Sequence, residues 1–482
     1  MSTPATAIVW FRRDLRLADH PALAAACGRA ERVVALYVHS PEQDGDWAPG
    51  GASRWWLRHS LAALAASLRA KGAELTLASG PAPDALRAVA RETGATQVYW
   101  NRLYEPARVA EDTRIKSALR EAGLHCASFN AALLHEPWEV RTGQGDPYRV
   151  FTPFWKACAT RLDELPRPLP APETIAAPEP PVSTLALDEL ELRPRIRWDA
   201  GLHETWTPGE PGALAQLDSF TAGAMAAYAE GRNRPDRPET SRLSPHLHCG
   251  EIGPRQCLAA VRNAVAEQPS SQVSADSFVR ELGWREFAHH LLHHFPHTAT
   301  EPLDARFERF PWVPRAEWLE AWQRGRTGYP LVDAGMRELW HTGWMHNRVR
   351  MIAASLFTKN LRQPWLEGAR WFWDTLVDAD LANNTLGWQW TAGCGADAAP
   401  FFRIFNPMLQ TERFDPQRSY VRRWLPELAR LPDRWIHCPW EAPPGVLADA
   451  GVALGRSYPR PIIDFRDSRE AALAAYGSIK AR

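Results

Sequence analysis

The sequence is short of the signatures that usually give a function away. Its seven cysteines, Cys27, Cys126, Cys158, Cys249, Cys257, Cys394 and Cys438, contain no C-x-x-C pair, so no metal site is expected. Their odd number and scattered spacing suit reduced thiols and predict a cytoplasmic protein. Lys+Arg and Asp+Glu are both 56, giving zero formal net charge. That disfavours a general polyanion binder and leaves only a local basic patch for nucleic acid. No G-x-G-x-x-G follows the first apolar run, which removes the dinucleotide fingerprint. That run, Ala7–Phe11, is too short to span a bilayer, and no leader pattern surrounds it. There is no internal repeat and no low-complexity tail.

What the chain does have is tryptophan, 23 of 482 residues. Four of them, Trp371, Trp373, Trp388 and Trp390, fall in twenty residues with Asp378, Asp380 and the pair Asn383–Asn384. Trp is large and seldom fully buried, so a core alone does not call for so many. Electron movement between rings, or stacking on a flat ligand, would.

At 482 residues the chain should hold two or more domains. Ala7–Phe11, Arg32–His39, Glu74–Ala78 and Gln97–Trp100 read as buried strands. Between them Pro21–Arg29, Ser53–Lys71, Pro83–Thr93 and Pro106–Ala122 have helical spacing. This alternation predicts a doubly wound, parallel α/β domain over 1–135. Residues 136–210 read as a linker, proline-rich at 165–181. Beyond it the strand alternation stops. Ser277–His294, Leu331–Trp340 and Arg348–Lys359 carry helical spacing, so 211–482 is expected to be all-α.

Seven segments, taken in order, resemble the photolyase/cryptochrome family. They are Trp10–His20, Thr240–Pro245, Glu281–Phe287, Thr327–Arg337, Gly343–Met351, Asp378–Asn384 and Phe402–Pro407. Met345–Arg348, M-H-N-R, is most similar to class I cyclobutane pyrimidine dimer photolyases. The resemblance implies a helical domain that binds one FAD and damaged DNA. By residue it places Tyr228, Thr240, Ser241, Arg242, Leu243, Ser244, Phe278, Arg285, Asn347, Arg350, Asp378, Ala379, Asp380 and Asn384 around the cofactor. Phosphates favour helix starts and hydroxyl-rich turns such as Thr240–Ser244. Asp378 is expected to pair with Arg350 as a bidentate fork. Asn384 falls where the family faces flavin N5, at a position that is typically Asp in plant cryptochromes. An amide does not readily supply a proton there, which favours the fully reduced, anionic flavin.

The resemblance also implies an electron chain from solvent through Trp312 and Trp365 to Trp388. For DNA it implies Arg232, Glu281, Trp284, Asn347, Arg348, Met351, Trp390, Arg403 and Gln410. A cyclobutane dimer must leave the base stack to be reached, a point for which photolyases are the standing example. Trp284 and Trp390 would wall the pocket, Met351 would floor it, and Glu281 would hydrogen-bond the thymine edge. Folate-binding members typically have Asn-Glu where this chain has Ala107 and Arg108. That puts a folate antenna in doubt and leaves the identity of any second chromophore open. The expected protein is a monomeric, light-driven DNA repair lyase acting on pyrimidine dimers. The alternatives are a cryptochrome-like photoreceptor and a (6-4) photolyase. Asn384, and the lack of an extension past about residue 475, count against the first. His346-Asn347 counts against the second.

Overall fold

In the computed structural model, residues 5–40, 45–398 and 402–480 are described. The chain forms two compact units. The first comprises Met1–Asp199, His203–Ala226 and Ser241–Pro296; the second comprises Ala200–Leu202, Ala227–Thr240 and His297–Arg482.

The first unit is built on five parallel strands: β1 (Thr6–Phe11), β2 (Arg32–His39), β3 (Leu75–Ser79), β4 (Gln97–Asn101) and β5 (His125–Phe129). Their order is β3-β2-β1-β4-β5. Crossover helices α1 (Pro21–Arg29), α2 (Gly51–Arg69), α3 (Ala82–Thr93) and α4 (Pro106–Glu121) connect them. α1, α3 and α4 each carry Pro in the first turn, where the missing N–H costs nothing. Alternate residues of the strands feed two cores. Ala7, Val9 and Phe11 pack with Leu23 of α1 and Leu61 and Leu64 of α2. Ile8 and Trp10 pack with Leu86 of α3 and Ile115 of α4. Burial on both faces is why these strands read as unbroken apolar runs rather than alternating ones.

The stretch expected to be a linker holds the helix Phe151–Ala159. Its proline-rich part is fastened to the sheet. Ile175 N donates to Lys71 O at 2.7 Å, Val33 N to Ala176 O at 2.8 Å and Leu185 N to Leu77 O at 2.9 Å. The same unit includes the long helix Gln272–His294.

The second unit is helical. Its main helices are Pro330–Thr342, Asn347–Ser355, Trp365–Thr375, Leu381–Ala392, Pro407–Phe414 and Phe465–Lys480. The spacing over Arg348–Lys359 predicts one continuous helix. The structure instead ends the α-helix at Ser355 and adds a π turn over Leu356–Asn360. All five side chains of that turn are buried, Lys359 among them, in continuation of the buried run Ile352–Ser355. Among the described residues, no helix is long and apolar enough to cross a membrane.

Candidate flavin and DNA site

The helix Leu381–Ala392 organises many of the candidate residues of the second unit. Asp380 is its N-cap; Oδ1 accepts from Asn383 N at 2.8 Å and from Asn383 Nδ2 at 2.7 Å. Asp380, Asn384 and Trp388 recur at four-residue steps and so lie along one helix face. A flat ligand lying along that face would meet a carboxylate, an amide and an indole in turn. Asn384 Nδ2 donates to Ala369 O at 3.0 Å, which leaves its amide oxygen as the free end. These donors and acceptors fit a flavin ring and its polar edge.

Trp388 is buried against Phe372, Phe357 and Trp322, with ring centroids 5.0, 5.8 and 5.9 Å away. Gly368 makes room for it: a Cβ there would sit 2.1 Å from Trp388 Cη2. The Trp388 indole N–H is buried and has no acceptor. Trp365 lies in the same core, and Trp312 packs on that core from its margin, 4.5 Å from Phe310. Trp322, not among the expected wire residues, is packed directly on Trp388. Trp371 packs half-buried on that core and stacks on exposed Trp340 at 6.0 Å and 5°.

The ion pair expected between Arg350 and Asp378 forms, but not as a fork. One nitrogen, Nη2, reaches both carboxylate oxygens, at 3.1 and 2.8 Å. Nε is taken by Met345 O at 2.7 Å, so the guanidinium is shared between a carboxylate and the turn before its own helix. Asp378 and Ala379 are buried. That turn is fixed by His346, whose Nδ1 accepts from Arg348 N at 3.1 Å and caps the helix. Burial, reinforced by Arg348, Arg350 and Arg232, pushes the His346 imidazolium down to about 3. The ring is therefore neutral at ordinary pH and keeps Nδ1 free to accept. Asn347, the first helical residue, is exposed.

Arg348 donates through Nη2 to Asn233 Oδ1. Its guanidinium lies 4.5 Å from the Phe414 ring centre, and Nη1 is 3.9 Å from Met351 Sδ. Arg232 sits 5.7 Å over buried Tyr228. Arg403 is exposed and lies 4.8 Å over Phe405. Gln410 is half-buried on Pro407–Phe414; Asn406 caps that helix by accepting from Met408 N at 2.9 Å and Leu409 N at 3.2 Å. Trp390 packs half-buried on the core. Not all the arginines that follow are available to a partner. Arg418 is buried and donates to Thr411 O and Asp415 O, and Arg422 is tied to Asp433 and Leu431 O.

In the first unit, Phe278, Glu281 and Arg285 share one face of Gln272–His294. Phe278 is buried, 4.8 Å from Phe220. Arg285 Nη1 donates to Ala132 O at 2.6 Å. Glu281 is half-buried. Trp284 stacks on Phe151 at 3.7 Å and 8°, which fixes the plane of its ring. Glu286, not foreseen, is fully buried and accepts from Leu134 N at 2.9 Å and His135 N at 3.0 Å; burial pushes its carboxyl upward. Arg242 takes a left-handed backbone, φ 51°, and lies 4.9 Å over Trp206. Gln216 Nε2 donates to Ser241 O at 2.9 Å, and Leu243 is buried, which shapes the turn into the short helix Ser244–Cys249. The unit boundary falls between Thr240 and Ser241.

Two family models match the chain: DNA photolyase over residues 7–173, and the FAD-binding domain of DNA photolyase over 278–478. A deoxyribodipyrimidine photo-lyase of Agrobacterium fabrum is 48% identical, over 99% of this chain and 98% of that protein. Cryptochrome-1 of Arabidopsis thaliana is 43% identical, over 96% of this chain and 69% of its own length. The crystal structure of a bacterial class III photolyase from Agrobacterium tumefaciens superposes with TM-score 0.96 at 48% identity, covering 100% of this chain and 99% of that one. The chain belongs to the photolyase/cryptochrome family and carries that family's FAD-binding domain.

Proposed function

We propose that the protein is a light-driven repair enzyme for cyclobutane pyrimidine dimers in DNA. The observation that carries this reading over a photoreceptor is Asn384. Its Nδ2 donates to Ala369 O, so Oδ1 is the end of the amide that would be offered to flavin N5–H as an acceptor. An acceptor there stabilises the reduced flavin and offers it no proton. When bound, reduced FAD would supply light-driven electron donation to the dimer, and the residues of this chain would bind, orient and shield it.

The chain's residues then have distinct tasks. Asp378 and Arg350 hold the cofactor's polar side through a pair that is mostly withdrawn from water. In the helical unit the proposed dimer contacts are Trp390 as a wall, Met351 as a floor and Asn347 as a hydrogen-bonding group; in the first unit they are Trp284 as a wall and Glu281 as a hydrogen-bonding group. Arg232, Arg348 and Arg403 contact phosphates. Trp388, fed through Trp365 and Trp312, returns electrons to an oxidised cofactor. The protein works as a monomer in the cytoplasm. Among subclasses, the end-to-end likeness to a class III enzyme favours class III over the class I pattern suggested by M-H-N-R.

A substrate pair tests the reading. Reduced protein is illuminated with oligonucleotides carrying either a cyclobutane dimer or a (6-4) photoproduct. Repair of the first alone is expected. Repair of the second alone, or of neither, overturns the proposal.

A further inference from the structure

Lys359 is 4% exposed. Among the described residues, the titratable and charged groups that bear on it are Cys394 and Arg403, and neither is a carboxylate. A buried ammonium costs several kcal/mol unless its donors are used. An aliphatic chain of the same length would fill the space without that cost. What the amine adds is therefore its contacts.

Those contacts converge on one short segment. Lys359 Nζ donates to Arg403 O and lies 4.4 Å from the centre of the Phe402 ring. Phe402 in turn stacks on Tyr476 at 4.4 Å and 11°. Ser355, four residues before Lys359, accepts from Phe405 N through Oγ at 3.1 Å. The end of one helical stretch thus grips the backbone of Phe402–Phe405 at two points, a carbonyl and an amide. The start of that same helix, Asn347–Ser355, carries Asn347, Arg348, Arg350 and Met351. The gripped segment carries exposed Arg403 and runs into the Asn406 cap of the helix bearing Gln410. Burial pushes the Lys359 ammonium down to about 7, with Cys394 opposing and Arg403 adding to the fall. A lysine kept under such opposition is consistent with a geometric task.

We propose that Lys359 is a positioning residue for DNA binding: from inside the helical unit it fixes Phe402–Phe405 so that Arg403 meets a phosphate beside the lesion. This rests on the reading of Arg403 as a phosphate contact, and the test separates the two.

Binding of a fluorescein-labelled duplex carrying one cyclobutane dimer is measured by anisotropy at several salt concentrations. The proteins are the FAD-loaded wild type, Lys359→Met, Arg403→Ala and the double variant. Each single change is expected to weaken binding about tenfold and to lower the salt slope by about 0.9, the signature of one lost phosphate contact. The double variant should bind no more weakly than Arg403→Ala. Flavin absorbance should be that of the wild type in every variant. Wild-type binding by Lys359→Met beside a weakened Arg403→Ala overturns the positioning role and spares the phosphate contact. Wild-type binding by Arg403→Ala overturns both. Fully additive losses, or a weaker Lys359→Met with an unchanged slope, show a merely structural lysine and overturn the proposal. If Lys359→Met fails to fold, Lys359→Gln, which keeps a shorter neutral donor, is held to the same slope and additivity criteria.

Discussion

Asn384 is tethered to Ala369: the side-chain Nδ2 donates to the backbone oxygen at 3.0 Å. The contact joins the helix Leu381–Ala392 to the helix Trp365–Thr375 and sets which end of the amide is free. A carboxylate in its place would point an oxygen at the Ala369 carbonyl. The carboxyl group introduced by Asn384→Asp must therefore keep its proton to make this bond, or leave two acceptors facing at a cost of about 1–3 kcal/mol. Asn384→Asp should bind FAD normally and repair dimers at least about tenfold more slowly at saturating DNA, a barrier increase of about 1.4 kcal/mol. Wild-type repair by this variant would remove Asn384 from the account.

Gly368 and Trp388 give a second prediction. A methyl group at position 368 must displace the indole, because its Cβ would lie 2.1 Å from Cη2. Gly368→Ala should lower stability by about 1–3 kcal/mol and slow photoreduction of oxidised FAD. Trp388→Phe should abolish photoreduction and leave repair by chemically reduced protein largely intact. Transient absorption and a dithionite-reduced repair assay check both. Unimpaired photoreduction in Trp388→Phe contradicts the assigned wire.

The Arg350–Asp378 pair gives a third. The Asp378 side chain is 4% exposed and that of Arg350 is 23%. Arg350→Met would leave a buried carboxylate with no cation, at a cost of about 3–5 kcal/mol. Asp378→Asn keeps a neutral acceptor and should cost less. Thermal melts with and without added FAD should rank wild type, Asp378→Asn and Arg350→Met in falling order. A reversed ranking argues that the pair is not what holds this corner together.

His346 ties stability to pH. Its imidazolium is pushed from an ordinary value near 6.5 down to about 3 in the folded chain, because charge is disfavoured by burial and by three arginines. Between those values the unfolded chain binds the extra proton and the native chain does not. The stabilisation is thus complete above about pH 6.5 and is lost as pH falls towards 3, by at most about 1.4 kcal/mol per pH unit. Protonation also removes the acceptor for Arg348 N. His346→Asn supplies a cap that does not titrate, so its denaturation midpoint should fall less steeply between pH 6 and 4. Parallel curves for the two proteins would exclude His346 as a source of the acid limb.

Much of this architecture is legible in the chain. Four strands show as apolar runs because both faces of the sheet are covered, and three of the crossover helices carry proline in their first turn. β5 escapes notice because His125–Phe129 is an edge strand with one buried residue, Cys126. The Asp380–Asn384–Trp388 stripe follows from helical spacing alone. Contacts made at long range do not. Trp322, far from Trp388 in sequence, is packed directly on it, and Arg350 gives its Nε to Met345 O through a turn closed by His346. Nothing in the sequence around Lys359 shows that its amine is buried and meets the distant segment around Arg403. Nor does the sequence show that Arg418 is spent on backbone carbonyls and Arg422 on Leu431 O and the Asp433 carboxylate.

The central claim is that light, acting through FAD held in this chain, splits pyrimidine dimers. The direct measurement is absorbance near the thymine band, followed while reduced protein and a dimer-bearing oligonucleotide are held in darkness and then under blue light. Absorbance should stay flat in the dark and rise only with illumination, with one protein turning over many dimers. A rise in darkness, or no rise under light from protein with its full complement of FAD, would contradict the account.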